Sequence, residues 1–150
     1  MKTTLLFNAV AGLASTALLV TTLPVSAGDW PQYRGPKQDG ISSETINANW
    51  SGAAPKTLWK IPTKNGFSSF AVSGGKAFTQ VNRDINGGPR EVVVALDANT
   101  GKELWATEVG SGKYDGGGDS GTPDNSGGNG PRSTPTVNDG KVYVFGQFLV

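Results

Sequence analysis

The stretch Ala95-Leu-Asp-Ala-Asn-Thr-Gly-Lys-Glu-Leu-Trp105 runs from apolar residues through a polar turn, returns to apolar residues and ends on tryptophan. Its centre has the chemistry of a tight turn. The Asp97 carboxylate can accept from a backbone N–H two residues on, and Gly101 can take positive φ without steric cost. Whether this is one hairpin or one unit of a repeat decides the fold. Thr57-Leu-Trp-Lys60 resembles Glu103-Leu-Trp-Ala106 and sets Trp59 46 residues before Trp105. A second match, without gaps, lays Ser68-Ser-Phe-Ala-Val-Ser-Gly-Gly-Lys-Ala-Phe78 on Ser133-Thr-Pro-Thr-Val-Asn-Asp-Gly-Lys-Val-Tyr143 at an offset of 65. Ser68/Ser133, Val72/Val137, Gly75/Gly140 and Lys76/Lys141 are identical, and Phe78 faces Tyr143. The order is the same both times, so the unit repeats with a period in the forties plus one insertion. Such a period in a strand-forming chain predicts an all-β fold, a β-propeller of four-stranded antiparallel blades.

The first blade is read over about 68–105. Its strands are an inner one at Ser68–Val72, then Lys76–Val81, Glu91–Leu96 and Lys102–Trp105, with polar Asn82–Arg90 as a loop. A Gly-rich insertion covers 110–130, and a partial second blade covers 133–150. Only the first one and a half blades are present in this reading. A ring needs about four to eight blades, so residues 57–150 are expected to be the start of an incomplete propeller. Segment 28–56 is expected to pack on the propeller or to close it. The four tryptophans, Trp30, Trp50, Trp59 and Trp105, read first as core.

Residues 1–27 have another character. Lys2 is the only charge before Asp29, residues 5–23 are apolar and small, and Pro24-Val-Ser-Ala27 precedes Gly28. This is the pattern of a secretory signal peptide cleaved after Ala27; the alternative is a membrane anchor just long enough to span. The chain carries 13 basic and 12 acidic side chains, and Lys2 leaves with the leader, so the processed charge is zero. Such balance gives no basic patch for nucleic acid and none for an anionic membrane surface. Cysteine and histidine are absent. Disulfides, thiolate zinc sites and histidine acid–base chemistry are thereby excluded from this chain. An exported, cysteine-free chain fits a periplasmic or secreted location.

The motif Ala95–Trp105 resembles the A-x-D-x-x-T-G-K-x-x-W repeat of the PQQ-like (quinoprotein alcohol dehydrogenase-like) β-propellers. Asp97, Thr100, Gly101 and Trp105 match it, and Trp59 matches its end. Asp29-Trp-Pro-Gln-Tyr-Arg-Gly-Pro36 with Asp39-Gly-Ile-Ser42 resembles the mature N-terminus of exported members. Gly130-Pro-Arg-Ser-Thr-Pro-Thr-Val137 resembles their second inner strand. The resemblance implies that the repeat tryptophans dock neighbouring blades. It also implies one of two functions, because the same blades serve as enzymes and as scaffolds. The first is a binding or assembly scaffold with protein partners or a small-molecule ligand at the channel. The alternative is an oxidoreductase of alcohols or sugars dependent on PQQ and calcium, whose catalytic residues would lie beyond residue 150. No catalytic residue and no PQQ ligand can be assigned within the chain.

In an antiparallel meander, loops two apart emerge at the same end, which sets Thr107–Arg132 beside Asn82–Arg90. Arg83, Asp84 and Arg132 are the ligand-binding candidates there. Arg132 can meet an anionic group, or it can clamp two loops by pairing with Asp84 or Glu91. Asp115, Asp119 and Asp124, with Asn129, offer oxygen ligands of the kind a hard cation such as calcium takes. Their spacing matches no EF-hand and no nonapeptide calcium repeat, and the same residues also mark a solvated loop.

Overall fold

Hairpin turns lay out the chain. Gly74-Gly75 (φ 56° and 73°) joins β1 (Ala71–Ser73) to β2 (Lys76–Ile85), and Asn86-Gly87 (φ 53° and 82°) joins β2 to β3 (Gly88–Asp97). The Asp97–Gly101 turn leads to β4 (Glu103–Ser111). Asp139-Gly140 (φ 47° and 72°) joins β5 (Thr136–Asn138) to β6 (Lys141–Tyr143). Two successive residues at positive φ give a turn whose twist matches that of the strands it connects. The structure, a computed structural model, describes residues 28–52, 54–113 and 130–146. Among them there are antiparallel strands and no helix, and therefore no helix long and apolar enough to cross a membrane.

The first four strands form one antiparallel sheet in the order β1-β2-β3-β4, and β5-β6 form a second, two-stranded one. Polar 82–90 is no loop. Asn82 pairs with Glu91, Arg83 with Arg90, and Ile85 with Gly88, so the hairpin runs to the Asn86-Gly87 turn. That turn fixes the register, and the polar side chains on either side of it then sit on strands. β4 likewise extends beyond Trp105 to Ser111. Register shifts near Leu104 and Val109 bend it along the sheet.

Six consecutive β3 residues, Glu91 to Leu96, are buried. Side chains on a strand alternate between faces, so such a run requires cover on both. One face carries Ala77, Val81, Val92, Val94 and Leu96, with Trp59, Val72 and Ile85 packed on them. The other carries Phe78, Gln80, Ala95 and Glu91, and the second hairpin approaches it. Gln80 Nε2 donates to Ser133 O (2.9 Å) and Ser133 Oγ (2.7 Å), and Ser133 Oγ donates to Phe145 O (2.6 Å). Gly146 lies against the Glu91 carboxylate and Val109.

Trp59 joins the preceding segment to the sheet. Its Nε1 donates to Ala98 O at 2.9 Å, and its ring lies flush on Gly101, where an added Cβ would stand 2.6 Å from Cε3. The turn beneath is firmly built. Asp97 Oδ1 accepts from Asn99 N (3.0 Å), Thr100 N (2.8 Å) and Thr100 Oγ1 (2.9 Å), and Gly101 N donates to Asp97 O (2.8 Å). The Thr100 hydroxyl bond, followed by the backbone bonds, holds the Asp97 carboxyl below its ordinary value. A depressed carboxylate stabilises the fold above its unfolded pKa and loses that contribution as pH falls through the folded one. Wild type is therefore expected to outlast Asp97→Asn in thermal melts at neutral pH, with the gap closing below the ordinary carboxylate range.

The segment after Gly28 binds both β1 and β5. Trp30 exchanges backbone hydrogen bonds with Val72 (2.8 and 2.9 Å), and Pro31 O accepts from Val137 N (2.7 Å). Asp29 caps the first hairpin, accepting from Ser73 Oγ (2.7 Å) and Gly74 N (3.1 Å). Trp30 is half-buried on Gly35. Trp50 and Trp105 are not core: they are 55% and 38% exposed. Trp50 sits in an extended, solvated segment. Trp105 lies on β4, with the Phe78 ring tilted against it at 6.0 Å between centroids.

Candidate functional site

The turn end of the β2–β3 hairpin, beside Asn86-Gly87, collects the polar side chains. Backbone bonds gather three chain segments there. Asn82 N donates to Asn65 O (2.7 Å), Gly112 N to Pro89 O (2.9 Å) and Phe67 N to Pro131 O (2.9 Å). Asn82 Nδ2 reaches Gly112 O at 2.8 Å. Gly130 lies flat on Gly66, where a Cβ would come within 2.6 Å of Gly66 Cα. The segments after β4 and beside the hairpin thus meet at one end, as the meander argument requires.

Between them is a cleft of about 340 Å³ lined by Lys64, Asn65, Asn82, Arg83, Asp84 and Pro89. Arg83 and Asp84 share it; Arg132 is not among its lining residues. Arg132 holds its guanidinium 4.5 Å above the Phe67 ring instead, and it pairs with neither Asp84 nor Glu91. A stacked, exposed arginine gains from the ring quadrupole without giving up its water. Asp115, Asp119 and Asp124 lie outside the described residues. Among the described residues no three His, Cys, Asp or Glu side chains converge as metal ligands do.

Arg83 is not free to bind. In register it faces Arg90 across the ladder, a like-charge pair that would oppose strand pairing. Each is neutralised from β4: Arg83 by a two-pronged bond to Glu103 (3.2 and 2.6 Å), and Arg90 Nε by Glu108 (2.9 Å). The hydrogen bond from Arg83 holds the Glu103 carboxyl below its ordinary value, and the same bond holds the guanidinium up. Both partners are partly exposed, so the pair is a modest, salt-screened clasp. Lys64 and Lys60 have no carboxylate in pairing range among the described residues.

Lys64 and Arg83 also line a second, larger cleft of about 560 Å³, between the sheet and the 59–64 segment. Trp59, Ile61, Phe70, Val81, Val94 and Leu96 give it an apolar lining. A composition-based reading misses this cleft, because its wall is an irregular segment whose only signal is Leu58-Trp59. Comparisons of the chain with protein-family models, with curated proteins and with solved structures find no match.

Proposed function

We propose that this chain is an exported repeat protein of the PQQ-like β-propeller type that acts as a binding or assembly scaffold, with the Lys64–Asn82–Asp84 end facing its ligand. The observation that carries the reading is Trp59 seated on the Asp97–Gly101 turn. In the propellers that the chain resembles the repeat tryptophan docks neighbouring blades, and on this reading Trp59 makes that contact. The burial of β3 on both faces supports the same arrangement, since a sheet within a stack is covered on each side. So does the second hairpin, which begins with the residue order of the first and pairs in the same way.

Export is tested by expressing the full chain in a bacterial host and fractionating it. A periplasmic product whose mass begins at Gly28 is expected; a product retaining residues 1–27 in the membrane would contradict it. The scaffold role is tested by a photo-crosslinking side chain at Asp84, with one at Lys76, at the other end of β2, as control. Discrete adducts from position 84 and none from 76 are expected. Equal labelling from both would remove the assignment of this end.

A further inference from the structure

We propose that the larger cleft binds an amphipathic monoanion, an alkyl or aryl carboxylate whose chain lies on the sheet and whose head group meets Lys64. The inference goes beyond the scaffold reading and does not depend on it. The cleft, at about 560 Å³, falls within the size of small-molecule sites, which combine apolar walls with a few placed polar groups. Its floor is Val81, Val94 and Leu96, and Phe70 and Ile61 stand open beside it at 46% and 40% exposure. Solvent-facing aromatic and aliphatic side chains around a concave surface favour an apolar occupant.

Charge selects among apolar occupants. Lys60, Lys64 and Arg83 line the cleft against a single carboxylate, Glu103. Glu103 is spent on Arg83, and among the described residues no carboxylate pairs with either lysine ammonium group. An alkyl cation would be repelled and a neutral chain would gain nothing from them. A carboxylate pairs with one ammonium while its chain covers the apolar floor. Lys64 stands where the two clefts meet, so a head group held there keeps its remaining oxygen in the polar cleft, beside Asn65 and Asn82. Lysine suits this position because its stem can lie along apolar surface while the ammonium stays in water.

The test titrates the full exported chain with decanoate, below its micelle concentration, by calorimetry and by tryptophan fluorescence. Decyltrimethylammonium is the matched cation. Decanoate is expected to bind at one per chain and about tenfold tighter than the cation, the size of a partly screened charge contact. Affinity is expected to rise roughly two- to fourfold for each methylene added between octanoate and decanoate. The paired change Lys60→Gln with Lys64→Gln should remove most of the anion preference. Phe70→Glu should abolish binding; both sites are exposed, so unchanged far-UV circular dichroism would confirm that the fold persists. Equal affinity for anion and cation, or binding indifferent to these changes, overturns the proposal. Sedimentation showing a dimer that shields Phe70 and excludes decanoate also overturns it, and assigns the cleft to a second copy. None of these outcomes alters the export or crosslinking results.

Discussion

Gly101→Ala is expected to destabilise the chain by about 2–4 kcal/mol, roughly 1–2 from the left-handed backbone and the rest from collision with the indole. The residue has φ 70°, and its Cβ would stand 2.6 Å from Trp59 Cε3 and 2.7 Å from Cδ2. Gly75→Ala is the control. It has φ 73° with nothing within 4 Å of the added carbon, so it carries only the backbone cost, about 1–2 kcal/mol. The loss of unfolded-chain entropy is common to both changes and cancels in the comparison. The excess at Gly101 therefore reports the docked ring. In a Trp59→Ala background the excess should vanish, because the atom that collides is gone. Urea midpoints of the six chains, each parent with its two glycine variants, read this coupling directly. An excess that survives removal of Trp59 would mean that something other than the indole rests on the turn.

Gln80→Glu is expected to cost roughly 3 kcal/mol or more at neutral pH. Gln80 is 1% exposed, and its Nε2 is the donor that ties the first sheet to Ser133 O and Oγ. A carboxylate there sets an acceptor against the Ser133 carbonyl. It also buries a charge diagonally across the ladder from Glu91, itself 1% exposed. The introduced group is protonated more readily in the fold than in the unfolded chain. Its penalty is therefore smallest in acid and grows as pH rises through its folded value. Gln80→Met keeps the volume without the charge and should cost about 1–2 kcal/mol. Thermal melts of both variants across pH make the measurement. A harmless Gln80→Glu would show that the second hairpin does not press on this face. The Oε1 atom of Gln80 has no partner within the described residues.

The repeat and the turn were legible because each rests on residues with few structural alternatives. Gly-Gly, Asp-Gly and the Asp97–Gly101 turn demand particular backbone angles, and the alternation around them then fixes a meander. The long β2–β3 hairpin was not legible. Asn82, Arg83, Asp84, Pro89 and Arg90 have the composition of a loop, and only Asn86-Gly87 marked the turn. Once that turn holds, the arginines sit opposite each other and survive because Glu103 and Glu108 lie on the next strand. That neutralisation runs across strands and leaves no trace in local composition. The candidate site was half legible. The meander argument brought the right stretches together, although 82–90 is hairpin and not loop, and Arg83 and Asp84 do line one cleft. Arg132 turned to Phe67, since a ring that only the folded chain brings near offered it a contact no spacing rule encodes. The tryptophans divided for a similar reason: burial of an indole depends on what the chain lays over it. Trp59 has a glycine turn beneath it, whereas Trp105, on β4 at the end of the sheet, stays 38% exposed beside Phe78.

The central contact is most directly read from the proton resonances of Gly101. The Hα that points where a Cβ would go lies against the Trp59 ring. It should resonate far upfield of the ordinary glycine position and return there in Trp59→Leu. A Gly101 Hα at the ordinary position in the unaltered chain would mean that the indole does not sit on the turn, and the stacked-sheet account would fail with it.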